Sequence, residues 1–302
     1  MPRIAPWIAA VVAIAMATTL CGCTPTGQPT DPPSTIDLTR VSAARSMVEE
    51  LMAAAGSTRV ISVEVTRTEA RLAVASDQKA VTYAWRDDTI STVDSDIDYV
   101  GQAIFDPRTF ALDDLGDLFA RAATEVGSDL GQKLQIVDYD DGRIYMSVTT
   151  NPETRPVFFT TDGELITSFD AADPASLAPV LAAVVAGADQ VTRVGIDSDG
   201  SVYADVPAGA NQTMRTTRAP QFPLRSRLRP ETNQPTTFDP ELVDAATITG
   251  MLERAARHLD KPLDSGVTMS IQRLEADAEP VATVTVGGRT ARLTLSGVVL
   301  KQ

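Results

Sequence analysis

The chain has 302 residues, 40 acidic and 26 basic side chains, a formal charge of −14, one histidine and two cysteines. That balance argues against a nucleic-acid binder, which needs a basic face to release counterions from phosphate. His258 has no second imidazole with which to build a histidine-rich metal site or a proton relay, and an apolar fraction of 43% is too high for a disordered chain.

In chain order, Arg3 precedes an almost wholly apolar run over residues 5–20, and no acid occurs before Asp31. A short basic start and an apolar stretch of about 15 residues read as a secretory signal. The run is short for a membrane-spanning helix, which needs about 20 residues. It ends in Leu20-Cys21-Gly22-Cys23. This segment resembles the lipobox of bacterial lipoproteins. The resemblance implies that Leu20 is the aliphatic −3 residue, Cys21 the −2 residue and Gly22 the −1 residue. Cys23 is then the residue that receives a diacylglyceryl thioether and an acyl group on its amine. Cys21 fails as the acceptor, because Leu20 would occupy the position reserved for a small residue. Several acyl chains anchor stably where one alone is marginal. Residues 1–22 are thus expected to be a signal peptide. The mature chain of 280 residues carries −15 and a single, lipidated cysteine. Disulfides and cysteine nucleophiles drop out with it.

Residues 23–35 are the lipidated cysteine and a Pro/Thr-rich tether, TPTGQPTDPPST, whose four prolines make it extended and unable to pack. The expected location is the extracytoplasmic face of the cell membrane. Ala, Arg, Asp and Val richness with only four lysines suggests a high-GC, actinobacterial type of genome.

Beyond the tether a pattern recurs four times. Its openings are Ile36-Asp37, Phe105-Asp106-Pro107, Phe169-Asp170 (with Asp173-Pro174 close behind) and Phe238-Asp239-Pro240, with the first aspartates 69, 64 and 69 residues apart. Asp suits an N-cap, Pro the first helical turn, and a preceding apolar residue a hydrophobic staple, so each opening predicts a helix start. Apolar stripes at helical spacing follow. They are Val41, Ala44, Val48, Leu51 and Met52; Leu112, Leu115, Leu118, Phe119 and Ala122; Leu177, Val180, Leu181, Val184 and Val185; and Ile248, Met251, Leu252, Ala255 and Leu259. Alternating segments come next, such as Ile61, Val63 and Val65, or Val267, Met269 and Ile271. Asp141-Gly142 and Asp199-Gly200 between such segments are strong hairpin signals. Further turns are expected at Asp162-Gly163, Ser296-Gly297 and Asp87-Asp88.

The predicted fold is α+β, with about four tandem helix-plus-antiparallel-sheet units and helices packed on one face of the sheet or sheets. Two units fall in 36–170 and two in 171–302, with an Arg/Pro-rich connection at 215–236. Pro220, Pro223, Pro230 and Pro235 make long regular strands unexpected and predict an irregular loop or edge over 218–236, joining the third and fourth units. In topology and unit length the body resembles PepSY-type domains and β-lactamase-inhibitor-like proteins. That resemblance implies binding of a protein or ligand.

If helices cover one sheet face, the other carries the alternate residues. These include Thr268, Ser270, Gln272, Thr283, Thr285, Arg292 and Thr294; Arg193, Tyr203 and Asp205; Tyr145 and Ser147; and Ser62, Glu64 and Arg71. This is the signature of a half-solvated antiparallel sheet. Tyr and Arg are enriched at interface hot spots. Tyr145, Tyr203 and Arg193, with Arg225, Arg227 and Arg229 from the arginine run, are therefore the candidate contacts to an unknown protein or envelope partner. The run, which also holds Arg215 and Arg218, either pairs with the protein's own carboxylates or meets anionic headgroups or cell-wall polymers. The alternative function is a carrier of a lipid or other hydrophobic ligand, as in some actinobacterial lipoproteins with a half-barrel over a cavity. Phe158-Phe159 and the stretch 83–85 leave room for a small pocket.

Chemistry is sparse. Asp94, Asp96 and Asp98 have the spacing of a calcium-loop start, but Tyr99 stands where Gly is needed and Phe105 where Glu is needed. Asp138–Asp141 and Asp197–Asp199 read as hairpin turns, and His258 as a residue facing a helix C-terminus. No catalytic residue, metal site or cofactor is expected, and the protein is read as a binder rather than an enzyme.

Overall fold

The computed structural model describes residues 36–76, 79–94, 101–231, 236–275 and 278–301. The signal, the lipobox and the tether lie outside these residues, as do the acidic loop beyond Asp94 and Pro235. Among the described residues no helix is long and apolar enough to cross a membrane.

The four stripes become four helices: α1 (Ala43–Ala55), α2 (Leu115–Val126), α3 (Pro174–Val184) and α4 (Ala245–Leu259). Each buries one face, as with Met47, Val48, Leu51 and Met52 in α1 or Ile248, Met251, Leu252 and Ala255 in α4. Val41 falls ahead of α1 and is 74% exposed, so it is not part of that face.

Among the described residues, fourteen strands form two antiparallel sheets. The first holds β1 (Val60–Val65), β2 (Ala70–Ser76), β3 (Lys79–Arg86), β4 (Thr89–Val93), β5 (Lys133–Asp140), β6 (Arg143–Thr149) and β7 (Val157–Phe159), in the order β4-β3-β2-β1-β5-β6-β7. The second holds β8 (Arg193–Ile196), β9 (Val202–Gly209), β10 (Gln212–Arg218), β11 (Leu224–Pro230), β12 (Val267–Gln272), β13 (Val281–Val286) and β14 (Arg289–Thr294), in the order β11-β10-β9-β8-β12-β13-β14. The two orders are the same. In each sheet a helix with four strands meets a helix with three, first strand against first strand (β1 on β5, β8 on β12). The fold is thus α+β with repeated units. The helices fill the apolar face of each sheet, closing one core around Leu51, Leu72, Ile136 and Phe159 and another around Leu177, Ile248, Ile271 and Leu293.

Two expectations are corrected. Of the aspartates in the repeated openings, Asp173 caps a long helix, α3, with Pro174 in its first turn as expected, whereas Asp37, Asp106 and Asp239 do not. Asp106 and Asp239 cap single 3-10 turns, at Pro107–Thr109 and Pro240–Leu242, and Asp37 accepts from the Thr39 amide. The helices start later, on Asp114, Asp173 and Asp244, whose carboxylates accept first-turn amides; α1 begins at Ser42 with no side-chain cap. The phenylalanines expected as staples are bridged to strands instead, Phe105 to Val60 and Phe238 to Val191. Pro at the first turn suits a 3-10 turn as well as an α-helix, so the spacing does not tell the two apart.

Residues 218–236 are not an irregular loop throughout. β10 and β11 pair in unbroken register from Gln212↔Pro230 to Arg218↔Leu224. Pro220 and Pro223 sit in the turn and Pro230 ends the strand. The prolines therefore delimit an edge strand, a place where a missing N–H costs no ladder bond.

The hairpin turns at Asp141-Gly142 and Asp87-Asp88 form where expected, with φ of 46° and 92° in the first and 49° and 56° in the second. β13 and β14 turn on Gly287-Gly288. The expected turn at Ser296-Gly297 also forms, folding the tail back so that Val299 bridges Leu293.

Candidate functional site

The register of the second sheet lines up charge across five strands. Opposite one another, in sheet order, stand Arg227, Arg215, Asp205, Arg193 and Gln272. The neighbouring row reads Arg225, Thr217, Tyr203, Gly195, Ser270, Thr283 and Arg292. Both rows lie on the face away from α3 and α4.

At the centre the Asp205 carboxylate is completely buried. Arg215 donates to it through Nε at 2.6 Å and Nη2 at 2.8 Å, and Arg193 donates through Nη1 at 3.1 Å. A carboxylate removed from water this far requires charged partners. Burial works against the Arg215 cation, but its bonds to Asp205 outweigh burial and hold its pKa above the usual arginine value. Arg215 also lies over the Tyr203 ring, 3.7 Å from the centroid. Burial pushes the Tyr203 hydroxyl above the usual tyrosine range, although a hydrogen bond with Ser270 opposes the shift. That ring lies against Gly195, where an added Cβ would come within 2.6 Å of the tyrosine oxygen and 2.2 Å of the Met269 carbonyl oxygen. Gly195 is thus the space that lets Tyr203 lie flat. Beside it, burial, with Asp199 and Asp205 nearby, raises the Asp197 carboxyl, and the guanidinium of Arg215 at 3.7 Å only partly offsets this.

On the far side of β8 the face stays half-exposed. Thr268, Ser270, Gln272, Thr283, Thr285, Arg292 and Thr294 alternate with buried Met269, Ile271, Ala282, Val284 and Leu293. Arg193 reaches Gln272 through Nε at 3.4 Å. Chemically this is an array of fixed hydrogen-bond donors and hydroxyls around an immobilised arginine pair.

The remaining sequence candidates gather elsewhere. Arg227 ion-pairs with Asp140 at the end of β5, whose side chain is also completely buried. Asp140 further accepts from the Ser226 amide at 2.5 Å, and Arg143 donates to the Ser226 hydroxyl at 3.0 Å. Arg225 donates to the Tyr139 hydroxyl at 3.0 Å and lies 4.9 Å from that ring's centroid. Tyr145 meets Tyr139 edge-on at 5.9 Å, and Phe158 bridges from Tyr139 to Phe222 of the β10–β11 turn. Arg229 stands exposed at the end of β11. So the structure joins Arg193 and Tyr203 in one group, and places Tyr145, Arg225 and Arg227 at a joint where β11 meets the β5–β6 hairpin.

Alternation identifies the polar face but not which part of it the chain itself covers. Nor does it single out Arg215 or Asp140, the residues that organise the two groups. Arg215 stands opposite Asp205 only because the β9–β10 register shifts between Gln212 and Thr213, which no local pattern reports, and nothing local marks Asp140, whose partner is 87 residues away.

Surface clefts of about 610 Å³ (by Glu49, Met52, Ser57 and Arg108) and about 500 Å³ (by Asp138, Tyr139, Asp140 and Arg227) are open to solvent. In the second, Asp138 is occupied as a turn acceptor for the Gly142 and Ala103 amides. Among the described residues, no group of three or more His, Cys, Asp and Glu is placed to hold a metal ion.

No known family model matches the chain, and no curated protein matches it. Among solved structures it is similar to the Helicobacter pylori β clamp. One complex, with 5-chloroisatin, shows 9% identity over 80% of this chain and 58% of the clamp, at a TM-score of 0.15. A second, with carprofen, shows 11% identity over 82% and 59%, at 0.16. The chain therefore spans less than two thirds of the proteins it matches. A TM-score of that size assigns no fold, and the architecture stands on its own strand order.

Proposed function

We propose that this chain is a membrane-anchored extracytoplasmic lipoprotein that binds a protein or cell-envelope partner through the polar face of its second sheet, without catalysing a reaction. The sequence Leu20-Cys21-Gly22-Cys23 after an apolar run, with a proline-rich tether behind it, supports the anchor. The observation that carries the binding role is the Arg193–Asp205–Arg215–Tyr203 group. Its buried members Asp205 and Tyr203 and the largely covered Arg215 fix Arg193 beside a half-exposed face of hydroxyls, and a pre-ordered arginine loses little entropy on contact. The filling of each apolar sheet face by helices favours surface binding over carriage of a hydrophobic ligand.

The anchor is tested by phase separation in a cloud-point detergent. The native chain should enter the detergent phase and Cys23→Ala the aqueous phase; a native chain in the aqueous phase refutes lipidation. For the binding role, a photoreactive side chain at Thr283 should give a discrete adduct with an envelope component in cells, while one at Glu253 on α4 should not. Equal labelling from both positions, or none from Thr283, rejects the polar face.

A further inference from the structure

The two sheets expose four edges, and three of them are closed by the chain itself. Outside β7, Leu165 bridges Phe159 and the Ile166 amide donates to the Phe158 carbonyl at 2.9 Å. Outside β14, Val299 bridges Leu293, and the Thr294 and Leu300 amides bond across at 3.0 and 2.8 Å. β11 carries Arg225, Arg227 and Arg229, ends on Pro230, and has its Ser226 amide held by Asp140. These are recognised ways of blunting a strand edge.

β4 is the fourth edge and uses none of these devices. Its sequence, Thr89-Ile90-Ser91-Thr92-Val93, has no charge and no proline and is mostly β-branched. Four of its five residues are exposed, and among the described residues no strand lies beyond it. The two-residue turn at Asp87-Asp88 makes Arg86↔Thr89 a hydrogen-bonded pair, and by alternation Ala84↔Ser91 and Thr82↔Val93 as well. The N–H and C=O groups of Ile90 and Thr92 therefore point outward, away from β3.

We propose that β4 is a strand-docking site for an extended segment of a partner protein with basic residues at its ends. Strand addition supplies main-chain hydrogen bonds from Ile90 and Thr92. Charge selects the occupant. Asp87 and Asp88 stand at one end of β4 and Asp94 at the other, with Asp88 and Asp94 both exposed. An antiparallel second copy would set Asp88 of one chain beside Asp94 of the other at both ends, which is repulsive. An incoming strand with Lys or Arg at its termini meets an acid at each end instead. β11 occupies the same place in its own sheet as β4 does in the first, and it shows the same logic with the signs reversed: an arginine-bearing edge met by a carboxylate.

The test uses the full-length chain in detergent and a fluorescein-labelled peptide, Lys-Lys-Val-Thr-Val-Thr-Val-Lys-Lys, followed by anisotropy. The peptide should bind saturably, and binding should slow amide exchange at Ile90 and Thr92. The same peptide with Glu in place of Lys should bind weaker by about tenfold or more. Thr92→Pro removes an outward N–H without touching the ladder to β3; it should weaken binding by about tenfold or more while the melting temperature stays put. Arg193→Ala should leave this affinity unchanged, which separates the edge from the polar face proposed above. Equal binding of the two peptides, binding with no change in exchange at Ile90 and Thr92, or indifference to Thr92→Pro overturns the proposal. So does a dimer in sedimentation that Thr92→Pro dissolves, because the occupant is then a second copy.

Discussion

At the scale of single residues, two aspartates beside the same Arg215 guanidinium play different parts. Asp205 is the fully buried partner of two arginines, so Asp205→Asn leaves both cations facing a neutral amide. Loss of one member of a buried ion pair costs about 3 kcal/mol or more, read as a lowered urea midpoint at neutral pH. Asp197 is a carboxyl whose pKa is raised, first by burial. A raised carboxyl favours folding in its neutral form, so its contribution is present at low pH and lost as the pH rises through the folded value. Asp197→Asn should therefore be at least as stable as the native chain at pH 7, and its advantage should shrink on acidification. Asp244 has the reverse sign. Its bonds to Thr247 hold its pKa down, so the cap is worth most above the ordinary carboxylate range and fades as the pH falls through the folded value. Asp244→Ala should cost about 1 kcal/mol at pH 7 and much less in acid, by thermal melts across that range.

At the scale of elements, two glycines in regular structure make opposite predictions. In β8, Gly195→Ala drives a Cβ into a backbone carbonyl and the Tyr203 ring, and the carbonyl belongs to the central strand pair. It should destabilise by about 3 kcal/mol and release Tyr203, seen as a phenol that ionises at lower pH in a spectrophotometric titration. In α4, Gly250 has nothing within 4 Å of where an added methyl would sit, so Gly250→Ala should stabilise by about 0.5–1 kcal/mol in a urea titration. The helices themselves were legible, because residues such as Val48, Leu51 and Met52, or Ile248, Met251, Leu252 and Ala255, recur at i, i+3, i+4 spacing that only a helix satisfies. Of their starts only Asp173-Pro174 was, since Asp-Pro opens a 3-10 turn at Asp106 and Asp239 as readily as an α-helix. β11 was legible only as one of two alternatives, a loop or an edge, because its prolines exclude a central strand and permit an edge.

At the scale of the whole molecule, the first half and the second meet where Asp140 grips the Ser226 amide and Arg227. Asp140→Ala should speed hydrogen exchange at Ser226 and leave β12–β14 amides unchanged; uniform acceleration across both sheets would mean a global loss instead. This joint explains why only part of the candidate site was legible. Arg193 and Tyr203 could be placed by alternation, each along its own strand, but Tyr145, Arg225 and Arg227 owe their surroundings to residues far along the chain, and no local pattern reports that. The matching strand order of the two sheets has a kinetic consequence. Each sheet is closed by a seam of its two first strands, Ser62 on Val137 in one and Met269 on Ile196 in the other. Everything flanking a seam is local hairpin, so hairpins form early and the seam is the slow, entropically costly step. Because every strand of the first sheet precedes every strand of the second, a chain emerging N-terminus first can close its first seam before the second half exists.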